Sequence, residues 1–313
     1  MYNTVEINFE IDINYYKSAN SDLAELNDDQ LTAHFKMYGI NEGRLSSEFS
    51  LKENFFNLVN LSKPALEIGP FCNPQLRGEN AYYFDVMSAD LLCQRAEQLG
   101  LATNNCPSAI HYISSYGDLT VIKDKFEAVA SSHNIEHQYD LVRHLQSVSN
   151  ILQPNGRYFL CIPDKRFMFD YYLPETSITD VLDAYDRQLK RHSIASVLEH
   201  RAFATHNDPL LHWAGDHGLV PTSSPNHFDL INKALDEYLS SGDGYIDVHT
   251  WKFTPYNFVY IVDVLNKLKL ITFTCDRIFN TPHGRGEFCV ILRYTPLTDT
   301  PGLADAEALP APG

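Results

Sequence analysis

Four stretches of the chain carry side chains whose types and spacing suit ligand chemistry. The first, Ala65-Leu66-Glu67-Ile68-Gly69-Pro70-Phe71, is an apolar run that turns at a glycine, where the missing Cβ lets a ligand approach the backbone. In the second, Phe84-Asp85-Val86, the acid stands 18 residues after Glu67. At that distance the end of a second strand offers a carboxylate to both hydroxyls of a ribose. The third, Ser114 to Asp118, sets an acid just past a third strand, where it either holds the exocyclic amine of an adenine or caps the next segment. The fourth, Phe126 to His137, brings Ser132, His133, Glu136 and His137 to the end of a fourth strand; the Glu136-His137 pair also reads as a helix N-terminal cap.

A later region collects groups that can bind a substrate: Asp164, Arg166, His212, Trp213, His217 and Trp251 are the candidate contacts. The aromatic residues Phe167, Phe169, Tyr171 and Tyr172 either line a lid over a sugar or ring, or form the core of this region. His212, Asp216 and His217 offer imidazole and carboxylate groups, but their spacing matches no specific metal motif, so no metal is expected.

Such stretches act together only if strands end side by side. Short β-branched and aromatic runs predict strands at 65–69, 81–85, 110–114, 126–131 and 156–162, and longer amphipathic runs predict helices at 88–99 and 138–152. That alternation is the pattern of a parallel sheet with crossover helices. An insertion of about 85 residues, 165–251, breaks it before Thr254-Pro255 opens a helix over 255–268 with a capping side chain and a first-turn proline. Runs at 270–279 and 286–294, separated by the turn-rich Thr281 to Gly286, predict a closing antiparallel pair. Residues 1–55 read as a helical module, with helical spacing in Leu23, Leu26, Leu31 and Phe35 and a stop at Gly39 and Gly43. The main domain spans 60–295, and 296–313, rich in Pro and Ala without periodicity, reads as a disordered tail.

The succession LEIGP, FD, SSHxxEH and a helix ending in LxPxGxxFL, across 65–162, resembles the class I S-adenosylmethionine-dependent methyltransferases of the small-molecule or glycan type. The resemblance implies an α/β fold with a doubly wound, Rossmann-like seven-stranded sheet, and S-adenosylmethionine as cofactor. It places the cofactor on Glu67, Gly69, Pro70, Asp85, Val86, Asp118, Ser132 and His133. The chain departs from the family pattern at Pro70-Phe71-Cys72-Asn73, where further glycines are usual, and this leaves open how the methionine carboxylate is held. Methyl transfer to a hydroxyl needs aligned reactants and a base. A histidine suits the latter, with His133 at the mouth of the fourth strand and His249 before Trp251 as the catalytic candidates. The segment from Asp12 to Arg44 is similar to a helical module joined to glycosyltransferases and other bacterial surface-polysaccharide proteins. Ile162 to Arg166 and Asp247 to Pro255 resemble methyltransferases of polysaccharide assembly. The implied acceptor is a sugar of a glycan or glycan precursor, with glycosyltransferases as partners through the N-terminal module. A small metabolite, a protein side chain, or a non-catalytic scaffold role are the alternatives.

Composition narrows the partners. The 313 residues include 24 Lys plus Arg against 40 Asp plus Glu, a formal charge of −16, which argues against nucleic acid bound through its phosphates. Six cysteines are scattered without a CxxC pair, so reduced thiols are expected rather than a zinc cluster or disulfide framework. The first residues lack a basic stretch followed by an apolar run, and no run of about 18 apolar residues occurs; a cytoplasmic protein with no membrane span is expected.

Overall fold

A computed structural model describes residues 7–242 and 244–296 of the chain. Seven strands form one sheet: β1 Ala65–Ile68, β2 Ala81–Asp85, β3 Tyr112–Ile113, β4 Phe126–Ser132, β5 Leu152–Pro163, β6 Phe273–Phe279 and β7 Glu287–Tyr294. Their order is β3-β2-β1-β4-β5-β7-β6. The first five are parallel, and β7 lies antiparallel between β5 and β6. This is the expected α/β, doubly wound, Rossmann-like sheet. All four residues of β1 are buried, as a central parallel strand covered on both faces requires.

The helices are α1 Ile13–Ala19, α2 Asp28–His34, α3 Lys52–Phe55, α4 Ala89–Gln98, α5 Leu141–Ile151, α6 Ile178–Asp186, α7 Ile194–Ala202, α8 Pro209–Trp213, α9 His227–Ser240 and α10 Pro255–Lys267. In α5 the Asp140 carboxylate caps the first turn, and Leu141, Leu145 and Val148 recur at helical spacing to bury one face on the sheet. Thr254 and Pro255 open α10 in the same way, and its buried face carries Phe258, Ile261, Val262 and Leu265.

Three strands differ from expectation, and of these β6 starts at Phe273 rather than 270. β3 shrinks to Tyr112–Ile113 because it is the sheet edge, paired with β2 alone and half exposed. β5 starts at Leu152 rather than 156, since an irregularity opposite Phe126 and Ala128, with Asn155 at φ 64°, lets the pairing begin early. In the N-terminal segment the helical reading holds in pieces: Leu23 closes a short 3-10 turn, Leu31 lies in α2, and Phe35 opens a turn of π-helix. Phe9, Tyr16, Leu31 and Phe35 join the buried cluster that includes the sheet, and the Glu10 N–H donates to the Ile278 carbonyl at 2.7 Å. The insertion supplies α6 to α9, with Val197, Ala234, Ile246 and Val248 as a small core of its own. Apart from its first residue, the segment read as a disordered tail lies outside the described residues. The six cysteines are unpaired, and among the described residues no helix is long and apolar enough to cross a membrane.

One side chain holds the loop after β1. Glu67 is buried, and its carboxylate accepts the backbone N–H groups of Gln75 and Leu76, each at 2.9 Å. Burial pushes its pKa up to about 7, against the pull of those N–H groups. Glu67→Ala leaves two backbone donors without acceptors and should lower the urea midpoint by the equivalent of about 2–4 kcal/mol. Glu67→Gln, which keeps one acceptor oxygen, should lose less.

Candidate active site

The strand order reverses between β1 and β4, and open sheets bind ligands in the crevice outside the carboxyl ends of strands at such a point. A cleft lies there. Gly69 forms its floor at φ 70°, and a Cβ at that position would stand 2.8 Å from Asn134 Nδ2. Both conformation and neighbour therefore demand glycine. Asp85 reaches the cleft from the end of β2, only 7 % exposed, with its oxygens accepting the Val86 N–H at 2.7 Å and the Phe71 N–H at 3.4 Å. Burial raises its pKa to about 6, against those backbone donors. Phe84, Leu119, Tyr139 and Tyr245 supply the apolar and aromatic walls.

Backbone strain gathers at the same place. Phe71 and His133, in the loops after β1 and β4, have φ of 45° and 49°, a region that costs a residue with a Cβ about 1–2 kcal/mol. The His133 N–H donates to the Cys161 carbonyl at 3.0 Å, so neighbouring β5 holds the turn.

Beside the cleft, four side chains converge. Glu136 is fully buried, and its Oε1 lies 3.7 Å from His137 Nε2, 3.8 Å from His249 Nε2 and 3.9 Å from His133 Nδ1. Neither carboxylate oxygen has a hydrogen-bond partner among the described residues. The rings are held from behind: His249 Nδ1 donates to Asp170 Oδ2 at 2.6 Å, and Asp247 Oδ1 stands 3.1 Å from His137 Nδ1. Burial raises the pKa of Glu136. The His137 contact holds Asp247 well below the usual carboxylate range, and burial together with Lys52 and His249 depresses His133. Burial alone would depress His137 too, but Asp247 and Glu136 raise it. Packing on Phe169, 4.6 Å from the His249 ring, completes the enclosure.

Of the expected cofactor residues, Gly69, Asp85 and Val86 line the cleft. Glu67 does not, its carboxylate being taken up by Gln75 and Leu76. Pro70, Asp118, Ser132 and His133 do not line it. Asp118 caps the turn at Leu119, accepting from the Thr120 N–H at 2.9 Å. The structure brings His133 and His249 together, against Glu136.

None of the expected substrate residues lines this cleft, though Trp251 borders a second groove beside α6 and α7. Asp164 is fully buried and accepts Arg166 on both oxygens and the Thr281 hydroxyl at 2.7 Å, which ties the start of the insertion to the β6–β7 turn. His212, Trp213 and His217 form a separate stack: His217 lies on Tyr171 with centroids 3.6 Å apart, and Trp213 on Phe167 at 3.9 Å. The Asp216 carboxylate accepts the Gly218 N–H. Trp251 is buried, and its backbone N–H donates to the Glu136 carbonyl. Residues the sequence reading passed over are Asn134, Gln138 and Tyr139 of the cleft, and Asp170, a lone acid inside an aromatic run.

The fold and this site define an α/β protein with a ligand cleft at the switch point of a seven-stranded sheet. No known protein family and no curated protein matches the chain. Among solved structures it is similar to an S-adenosylmethionine-dependent methyltransferase from Methanosarcina mazei, 13% identical over 77% of this chain and 96% of that one, with a TM-score of 0.36. It is also similar to one from Aquifex aeolicus, at 10% over 82% and 97%, TM-score 0.38, and to the mitomycin 7-O-methyltransferase MmcR, at 12% over 89% and 62%, TM-score 0.36. At such values the likeness adds nothing to what the strand order itself shows.

Asp164→Ala strips Arg166 and Thr281 of a buried acceptor and should cost about 2–3 kcal/mol of stability, read from urea denaturation. A residue that only touched substrate would leave the midpoint where it is.

Proposed function

We propose that the chain is an S-adenosylmethionine-dependent methyltransferase acting on an oxygen of a sugar in a glycan or glycan precursor. One observation carries the cofactor reading: the nearly buried Asp85 carboxylate faces the cleft across from the open backbone of Gly69. A carboxylate there suits the two hydroxyls of a ribose, and the walls of Phe84, Leu119, Tyr139 and Tyr245 suit an adenine. When bound, the cofactor supplies an electrophilic methyl carbon, whose bond to sulfur breaks as its bond to the acceptor oxygen forms, leaving the neutral S-adenosylhomocysteine.

The chain's own part is to position the acceptor and take its proton. The candidate bases are His249, whose ring Asp170 orients, and His133 beside it, with about a third of its side chain reaching solvent. For the acceptor, a groove of about 1130 Å³ runs between α6, α7 and Thr250–Lys252 and meets the cleft at Tyr139. Its polar lining, including Glu175, Asp180, Ser196 and Glu199, suits hydroxyl-rich ligands. Glycosyltransferase partners through residues 1–55 belong to the same reading, supported by the sequence similarity of that segment.

Calorimetric titration tests the first step. S-adenosylmethionine or S-adenosylhomocysteine should bind, and Asp85→Ala should raise the dissociation constant about tenfold to a hundredfold, since it removes a charge-assisted pair of hydrogen bonds. Asp85 accepts from both hydroxyls only when ionised. Because its carboxyl titrates near pH 6 in the free protein, affinity should be flat above pH 7 and weaken tenfold per unit below about 6. Asp85→Asn should remove that dependence. A folded chain that binds neither compound sinks the reading; methyl transfer to small metabolites but to no sugar, followed by mass spectrometry, would replace the acceptor.

A further inference from the structure

The side chains around Glu136 pose an electrostatic problem. A carboxylate sealed from water with no donor costs several kcal/mol, and such groups are paired or bound to metal. Three imidazole nitrogens face its Oε1 at 3.7 to 3.9 Å, too far for hydrogen bonds. With Nδ1 donating to Asp170, the Nε2 of His249 is the ring atom turned to Glu136. The His137 Nε2 also faces Glu136, and its Nδ1, 3.1 Å from Asp247, has no hydrogen-bond partner among the described residues. Two ring nitrogens and a carboxylate oxygen thus converge on one point, an arrangement that a bound cation would satisfy.

We propose that Glu136, His137 and His249 bind a divalent transition-metal ion of the Zn²⁺ class. One ligand atom from each of the three lies within 4.8 Å of the others. Bonds of about 2.0–2.1 Å at tetrahedral angles set donors roughly 3.3–3.5 Å apart, so the Glu136 oxygen, 3.7 and 3.8 Å from the two Nε2 atoms, needs to approach each by only a few tenths of an ångström. Two nitrogens and one carboxylate favour zinc, manganese or iron over calcium or magnesium, which prefer oxygen alone. Asp170 stands where a metal-bound imidazole has its supporting carboxylate, fixing the His249 tautomer. Three protein ligands leave a coordination position open, and His137 lines the cofactor cleft as well as this cluster. An acceptor oxygen in that position has its proton acidified next to the methyl donor. That role rests on the methyltransferase reading, whereas the binding of the ion does not.

The experiment uses the full chain without added histidines, stripped with chelator and checked for folding by circular dichroism. Titration with Zn²⁺ should show about one equivalent bound, and Co²⁺ should give a visible absorption band from its nitrogen and oxygen ligands. His249→Ala and His137→Ala should weaken Zn²⁺ binding at least tenfold and abolish the cobalt band. Should either fail to fold, Asp170→Asn leaves all three ligands in place and should weaken binding about tenfold to a hundredfold. Absence of stoichiometric binding by the folded chain, or binding unchanged in the folded variants, overturns the site. Titration of the stripped protein with S-adenosylhomocysteine separates the two readings. Cofactor binding without metal binding refutes the ion alone, and the reverse refutes the cofactor assignment alone.

Discussion

The architecture around the cleft depends on one carboxylate taken out of water. Glu136 follows β4, and its carbonyl accepts the N–H groups of Thr250 at 2.8 Å and Trp251 at 3.1 Å, where the insertion ends. Its side chain meets His249 from that end, and His249 in turn meets Asp170 from the beginning of the insertion. Both ends of the insertion are therefore held to the mouth of β4 through this one residue and His249. Asp164 reinforces this at the entry, through Arg166 and Thr281.

Local signals were legible in the sequence because they are carried by neighbours along the chain. Gly69 and Asp85 sit at the ends of short apolar runs, and the strand-end rule places them in one crevice. The capped starts of α5 and α10 are likewise written in Asp140 and in Thr254-Pro255. Glu67 looked like a ligand contact because it is an acid beside a glycine turn; its task is to bond the backbone of Gln75 and Leu76, which spacing does not reveal. The cluster at Glu136 was legible only in fragments. His133, His137 and His249 were visible as chemistry-bearing side chains, but Asp170 and His249 are 79 residues apart, and only the folded insertion brings them together. The same limit misassigned Asp164 and Trp213, whose partners Thr281 and Arg285 come from the far turn of the sheet.

The two loops at the switch point each hold a residue with a Cβ in the left-handed region, Phe71 after β1 and His133 after β4. Such conformations persist where surrounding contacts outweigh them, and here the Cys161 carbonyl and the Asp85 carboxylate do so by accepting the N–H groups of these same residues. The cleft is therefore shaped before any ligand arrives, and Gly69 fits against Asn134 only because both turns are held in this way.

β7 enters the sheet between β5 and β6 rather than at its edge, and the segment near Glu10 bonds to β6. A ribosome delivers the chain from the amino end, so β1 to β5 emerge and can pair while one edge of β5 stays bare. That edge is closed by a hairpin that follows the insertion and α10, and the segment near Glu10 must wait until β6 has emerged. During this interval the growing sheet exposes an unpaired apolar strand, Tyr158 to Ile162, of the kind that recruits chaperones or joins a neighbouring nascent chain.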